Sequence, residues 1–366
     1  MVSKSKIPVL TFSIFIFSIY TGFSQKKILI YHETNGFRHA NAITEGITMF
    51  ENLGNSNSRW TTDNSQDSSV FNTTNLNQYD AVVFLNTSGN NLLNTTEQQA
   101  FENFIKSGKG FIGIHAATDT YRDKSWDFYN ELVGAIVQTS PNHTANNFNA
   151  DMEVKVDHPL ISFLSSSPPV VGSIWNKNEE YYYWEQNGGQ LSADNITLLE
   201  VESTGSQSYD AARPITWYKE SITYDDDSNN ATPKVTINNI KSFYTALGHN
   251  GSDYSSNTKF IELLENAVLW ATNSTILNTT EFNKPNKISI YPNPATNTLV
   301  IKNINTYTNI KISIYNVSGK EVYDLNLKSP LNRQHLKIDI SKLSSGFYTV
   351  HTINGNKLKS FKLIKQ

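Results

Sequence analysis

Gly110-Phe111-Ile112-Gly113-Ile114-His115-Ala116-Ala117-Thr118-Asp119 is the stretch that decides the fold. An apolar run enters a turn of small residues, and the turn carries a histidine where doubly wound α/β enzymes often hold a working side chain. Upstream, Lys27 to Tyr31 and Tyr79 to Leu85 read as further strands. Between Tyr79 to Leu85 and Gly110 to Ile114, Thr95 and Gln98 suggest a capping box, Ala100, Phe101, Phe104 and Ile105 share one helical face, and Gly108 ends that helix. Downstream, Ile196 to Val201, Pro214 to Tyr218 and Phe243 to Leu247 are strand candidates, and the last two can pair antiparallel. Asn257 to Thr272 reads as a closing helix with Phe260, Leu263, Leu264, Ala267, Val268 and Ala271 toward the core. Residues 142–190, rich in Asn, Pro and Tyr, lack helical period and are expected to form an extended insertion at the sheet edge, walling the site. The pattern predicts an α/β fold with a mostly parallel sheet covered by helices.

Composition removes whole classes of chemistry. Cysteine is absent from the 366 residues, which excludes disulfides, thiolate metal sites and a thiol nucleophile. A net charge of −3 offers no basic field, so nucleic acid is not an expected partner. Lys4 and Lys6, the apolar run from Ile7 to Tyr20 and the small-residue zone from Thr21 to Gln25 form a basic, apolar and cleavable series. Residues 1–25 therefore read as a secretory signal peptide, and the mature form is expected to lack a transmembrane span.

The α/β domain is expected over 26–273, followed by a linker over 274–286 in which Asn, Thr, Pro and Lys dominate. Short alternating runs then follow: Ile288 to Tyr291, Thr298 to Ile301, Ile310 to Tyr315, Leu336 to Ile340 and Gly346 to His351. They predict a small all-β sandwich over 287–366. With Tyr291-Pro292-Asn293-Pro294-Ala295, Ile314-Tyr315-Asn316-Val317-Ser318-Gly319-Lys320 and Leu343-Ser344-Ser345-Gly346-Phe347-Tyr348, this module resembles the C-terminal sorting domain of the type IX secretion system. The resemblance implies export by that machinery, to the outer surface of a Gram-negative cell or beyond.

Ligands of open α/β sheets bind past the carboxyl ends of the strands, where loops and helix N-termini converge. Four such ends carry polar groups: His32 to His39, Asn86-Thr87-Ser88-Gly89, His115 with Asp119, and Gly248-His249-Asn250. Only eight histidines occur in the chain, so His39, His115 and His249 each following a predicted strand marks them as site candidates. Imidazole can serve as acid or base, or ligate a divalent metal as a neutral donor. Glu179-Glu180-Tyr181-Tyr182-Tyr183-Trp184 sets aromatic rings beside carboxylates, a composition suited to sugars, with Glu180, Tyr182 and Trp184 the candidates. The other reading of that run is a half-buried edge strand. His143 lies in a loop, and His158 before Pro159 is expected to fix a turn.

Taken in order, Phe37-Arg38-His39, Phe84-Leu85-Asn86-Thr87-Ser88-Gly89, Gly113-Ile114-His115-Ala116-Ala117-Thr118-Asp119, Glu131-Leu132-Val133-Gly134-Ala135, Asp157-His158-Pro159 and Phe243-Tyr244-Thr245-Ala246-Leu247-Gly248-His249 resemble the trehalose-utilisation, ThuA-like family. The resemblance covers 27–272. It implies a flavodoxin-like, class I glutamine-amidotransferase-like doubly wound sheet, with His115 at the position where amidotransferases place a cysteine. It also implies a part in carbohydrate catabolism, on a sugar, a glycoside or a 3-keto-glycoside. The sequence departs from the family at Arg213-Pro214-Ile215, where His-Pro-Ile is usual, and at Ser140-Pro141-Asn142-His143, where His-Pro is common. At Arg213 an anionic substrate or a structural exchange is expected.

The expected site has His115 as principal acid/base or ligand, His39 and His249 beside it, and Asp119 and Glu180 orienting them. Arg38, Asn86, Thr87, Tyr182 and Trp184 are the expected substrate contacts. No cofactor is required by this reading, and the reaction type stays open among hydrolase, lyase and isomerase. A non-catalytic glycan-binding protein and a metal-dependent hydrolase ligated by His39, His115 and His249 are the alternatives.

Overall fold

The computed structural model describes residues 25–56, 58–165, 170–205, 210–226, 233–274, 289–302, 309–328, 335–354 and 357–366. The signal segment, apart from Gln25, and the linker, apart from Ser274, lie outside them. Of the described residues, those within Met1–Phe148, Asn178–Ile196 and Ile215–Ser274 form one compact unit, and those within Asn149–Lys177, Thr197–Pro214 and Thr275–Gln366 a second.

In chain order the elements are β1 (Lys26–Tyr31), α1 (Ala40–Ser56), β2 (Trp60–Ser65), α2 (Thr73–Leu76), β3 (Ala81–Leu85), α3 (Thr95–Lys106), β4 (Gly110–Ile114) and α4 (Asp127–Val133). Then come β5 (Ala135–Ile136), β6 (Phe148–Val154), β7 (Ile174–Glu179), β8 (Gln190–Leu191), β9 (Ile196–Val201), β10 (Arg213–Tyr224), β11 (Val235–Thr245), α5 (Gly251–Ser255) and α6 (Thr258–Ala271).

The first unit is built on strands in the order β2-β1-β3-β4-β11-β10. The first five run parallel, and β10 returns antiparallel to β11 with Trp217 opposite Tyr244. Every residue of β3 and β4 is buried, as expected where helices cover both faces of a parallel sheet. Gly110 belongs to that packing: a Cβ there would stand 2.5 Å from the Ala271 carbonyl oxygen, so α6 closes onto β4 only over a glycine. In α1 the buried positions Ala42, Ile43, Gly46, Met49 and Phe50 recur at helical spacing.

One local expectation shifts, and one strand carries no signal in the sequence. The capping box of α3 sits on Asn94 and Glu97 instead of Thr95 and Gln98. Asn94 Oδ1 accepts the Thr96 and Glu97 amides while Glu97 accepts the Asn94 amide, and an acidic N3 group also suits the helix dipole. The outer strand β2, Trp-Thr-Thr-Asp-Asn-Ser, is too polar to be read as a strand, because only Trp60 in it is buried.

In the second unit β6 and β9 pair antiparallel, with Met152 opposite Val201. His158 caps a 3-10 turn over Pro159–Leu164, its Nδ1 accepting the Leu160 amide. Arg213 donates to Asp210 at 2.7 Å. The tail comprises β12 (Ser289–Tyr291), β13 (Thr298–Lys302), β14 (Asn309–Asn316), β15 (Glu321–Lys328), β16 (His335–Asp339), β17 (Gly346–Asn354) and β18 (Lys357–Lys365). They form the sheets β12-β13-β16 and β15-β14-β17-β18. Leu299, Ile301 and Ile338 of one sheet and Ile310, Ile312, Ile314, Val350 and Leu363 of the other share a single core.

Candidate functional site

Three strand ends of the first unit converge. β1 leads into a loop whose last residue, His39, caps α1 with its carbonyl accepting the Ile43 amide. β4 delivers His115 directly, and β11 runs through Ala246 and Leu247 into Gly248 and His249. His115 is fully buried and takes a left-handed backbone conformation, φ 48°, in a sharp strand-to-turn elbow. A non-glycine residue held there needs surrounding contacts to over-determine it. Tyr244 Oη supplies one by donating to the His115 carbonyl at 2.8 Å, and the imidazole supplies the other.

His115 Nδ1 lies 2.7 Å from the Ala246 carbonyl oxygen. A carbonyl only accepts, so Nδ1 carries hydrogen and the ring turns Nε2 inward. Around Nε2 stand Glu180 Oε2 at 3.2 Å, Tyr182 Oη at 3.1 Å and His249 Nδ1 at 3.4 Å. His249 Nδ1 is 3.3 Å from the same Glu180 oxygen, and His143 Nδ1 is 3.2 Å from the other. The His39 ring meets those of His115 and His249 edge-on at 4.7 and 5.0 Å. One ligand atom from each of His39, His115, Glu180 and His249 lies within 4.8 Å of the rest.

Burial and mutual charge set the ionisation of this cluster. For Glu180, burial would raise the carboxyl, but hydrogen bonds from His115 and His249 and their charge outweigh it and hold the group well below the carboxylate range. Burial would lower His249, and its pairing with Glu180 reverses the sign and raises it. His39 is pushed down to about 3 by burial and by the neighbouring His115 and His249. Two imidazoles in one cluster are thus driven in opposite directions.

Glu179 fixes the geometry from beneath. Its side chain is fully buried, and its carboxylate accepts the amides of Gly248 at 2.9 Å, His249 at 3.2 Å and Glu180 at 3.0 Å. Gly248 has φ 107°, and a Cβ there would lie 2.5 Å from the Tyr254 hydroxyl, which itself donates to the Gly248 carbonyl at 3.0 Å.

Of the sequence candidates, His39, His115, His249 and Glu180 come together, and Tyr182 joins them through its hydroxyl and a ring stacked on His115 at 4.6 Å. The others stand apart from this contact set. Asn86 Nδ2 donates to Tyr254 Oη at 3.1 Å, and Thr87 Oγ1 bonds Thr120 Oγ1 at 2.9 Å, both in the interior. Asp119 accepts from Arg122 at 2.7 Å, with burial raising its carboxyl against that cation. Arg38 donates back to the His32 carbonyl at 2.8 Å. Trp184 is buried with its ring near Trp217 and Tyr244. His143 and Glu179 are the residues of this site that the sequence does not mark as candidates. An Asn-rich loop gives no sign of where His143 lands, whereas Glu179 could have been found as the neighbour that faces away from Glu180 in an extended strand.

A parallel sheet in the order β2-β1-β3-β4-β11, covered by helices and carrying a His/Glu cluster beyond the carboxyl ends of its strands, defines the class as a flavodoxin-like α/β fold. The chain belongs to the ThuA family, described as trehalose utilisation, which matches residues 27–271. Residues 289–366 match the secretion system C-terminal sorting domain, which marks the protein for type IX export to the outer surface or beyond. No helix among the described residues is long and apolar enough to cross a membrane.

Among solved structures, a thua-like protein of Bacteroides uniformis is 22% identical, covers 67% of this chain and 91% of its own, and superposes with a TM-score of 0.51. A thua-like protein of Parabacteroides merdae is 16% identical over 69% of this chain and 92% of its own, with a TM-score of 0.48. The glutaminase domain of a Trypanosoma brucei CTPS is 8% identical over 69% and 95%, with a TM-score of 0.38. The first likeness speaks to the fold alone, and nothing rests on the other two. None of the curated proteins matches the chain.

Proposed function

We propose that this exported protein is an enzyme of carbohydrate catabolism that processes a sugar, glycoside or 3-keto-glycoside at the His39, His115, Glu180 and His249 cluster. The observation that supports it best is the fixed orientation of His115: with Nδ1 bound to the Ala246 carbonyl, Nε2 is the proton-exchanging atom, aimed at the space shared by Glu180, His249 and Tyr182. His249 on Glu180 is the paired acid, since the carboxylate stabilises the imidazolium before it gives up its proton. Such a base and acid within one contact can take a proton from a sugar hydroxyl or ring carbon and return one to the leaving or carbonyl oxygen. The ThuA family description adds the carbohydrate context. The test is turnover of a panel of disaccharides and their 3-keto forms by wild type and His115→Ala. Loss of about 100-fold or more in kcat is expected of a removed general base, and full activity of His115→Ala would reject the assignment.

A second reading is favoured by one further observation. His115 Nε2, His249 Nδ1 and Glu180 Oε2 form a nearly equilateral triangle with edges of 3.2, 3.3 and 3.4 Å. Donors at zinc bond lengths in a tetrahedron stand about 3.3 Å apart. These three, with His39 as a fourth, fit a divalent cation, and the His115 contact to a backbone carbonyl is the outer support that metal-bound histidines use. A cation bound there would activate water or polarise a sugar oxygen. Elemental analysis decides it: near one equivalent in wild type, lost in His115→Ala, favours metal-assisted chemistry, and absence of metal after growth with added zinc rejects it.

A further inference from the structure

Phe37 stands next to the cluster with most of its ring in solvent. It is 69% exposed, and the other large exposed apolar side chains described in the first unit, Ile196 at 38% and Val235 at 36%, are aliphatic and less open. A single exposed apolar residue is ordinary on a protein surface. Two further observations separate Phe37 from that background.

The first is that its backbone is held in place. The Asn35 and Gly36 amides both donate to the Ser88 carbonyl, at 2.8 and 3.2 Å, and Ser88 Oγ donates to the Phe37 carbonyl at 2.6 Å. Arg38 ties the next residue back to the His32 carbonyl at 2.8 Å. An exposed ring on a fixed loop loses little freedom when a ligand covers it. The second is its neighbour. The Phe37 ring meets the His39 ring edge-on at 4.8 Å, and His39 in turn meets His115 and His249. Within the cluster the exposed side chains are those of His143, at 27%, and His249, at 13%, while His115 is closed off; the open side of the cluster is thus lined by these two rings, and His249 packs on His39, the ring that Phe37 touches.

The aromatic residues first expected to receive a sugar cannot offer a face. Tyr182 and Trp184 are 3% and 4% exposed, and the Tyr182 ring is already stacked on His115. We propose that Phe37 is the sugar platform of this site: one apolar C–H face of a pyranose ring packs on the Phe37 ring while its neighbouring unit or its reacting carbon enters the His115, His249 and Glu180 cluster. This rests on the carbohydrate reading above. Pyranose rings present axial C–H groups on one face, and an aromatic face, electron-rich at its centre, is the complementary surface.

The test uses the full mature chain and trehalose, maltose, cellobiose and their 3-keto forms as probes. Binding is followed by saturation-transfer NMR titration and turnover by product release, for wild type, Phe37→Ala, Phe37→Trp and Glu180→Gln. For the best probe, Phe37→Ala is expected to weaken binding about tenfold and to raise KM by the same factor with kcat little changed. Phe37→Trp is expected to restore binding, and Glu180→Gln to bind the probe while losing turnover. Because Phe37 is exposed, melting temperatures of both Phe37 variants should match wild type. Binding and KM unaltered in Phe37→Ala, with turnover still lost in Glu180→Gln, would overturn the platform and leave the site standing. No saturation of any probe by wild type would overturn the carbohydrate reading, and the platform with it.

Discussion

Glu179→Gln is the sharpest test of how the site is built. The wild-type carboxylate is fully buried and accepts three amide hydrogens, two on Oε1 and one on Oε2. Glutamine keeps the shape but has only one acceptor oxygen, so its NH2 must face at least one of those N–H donors. Losing one charge-assisted bond and stranding its donor costs about 2–3 kcal/mol, and the remaining bonds weaken from charged to neutral. Removing a buried charge returns part of its desolvation cost. The net loss comes to about 2–4 kcal/mol, or about 5–12 °C in melting temperature for a unit of this size. Because two of the three donors belong to Gly248 and His249, turnover should fall even below the melting transition. Calorimetry of the full chain, which separates the first unit's transition from that of the tail, measures the first effect. A melting temperature within about 1 °C of wild type would refute the claim that Glu179 holds the His249 loop.

Gly248→Ala should be as damaging by another route, since the position combines φ 107° with a Cβ contact of 2.5 Å to the Tyr254 hydroxyl and 2.9 Å to Phe260; about 2–4 kcal/mol is expected, read as a drop in melting temperature. In the presence of chelator, stability should decline as pH falls from about 6.5 toward 3, because His39 is held neutral in the fold while the unfolded chain takes up the proton. Its contribution is complete above the ordinary histidine value and is lost at about 1.4 kcal/mol per pH unit below it. His39→Gln should flatten that slope in urea titrations across this range, and an unchanged slope would place the titration elsewhere. The pairing of His249 with Glu180 works in the opposite direction: it is fully present below pH 6.5 and fades as pH rises through the elevated His249 value, so His249→Gln should lose less stability at pH 9 than at pH 6.

The elements most legible in the sequence were those with an unbroken apolar signal. Gly110 to Ile114 and Tyr79 to Leu85 read as strands because both faces of β3 and β4 are buried. The closing helix read well because Asn257 caps it and its apolar residues recur at helical spacing. The outer strand β2 did not, since an edge strand with one buried residue leaves no pattern. The site was half legible. His39, His115 and His249 could be picked out because strand ends in this fold converge, and Glu180 because of its aromatic surroundings. Sequence position carries no depth, however. It could not tell that Tyr182 and Trp184 are covered while Phe37 is open, that Asn86 and Thr87 brace loops, or that an irregular loop carries His143 onto Glu180.

The central claim is that the carboxylate joining these histidines sits at the reacting centre. Its most direct test is turnover of the best sugar substrate by Glu180→Gln, with the melting temperature recorded alongside. A fall in kcat of about 100-fold or more in a protein that is still folded and still binds the sugar is the expected result. A folded Glu180→Gln protein that turns over the sugar at the wild-type rate would contradict it.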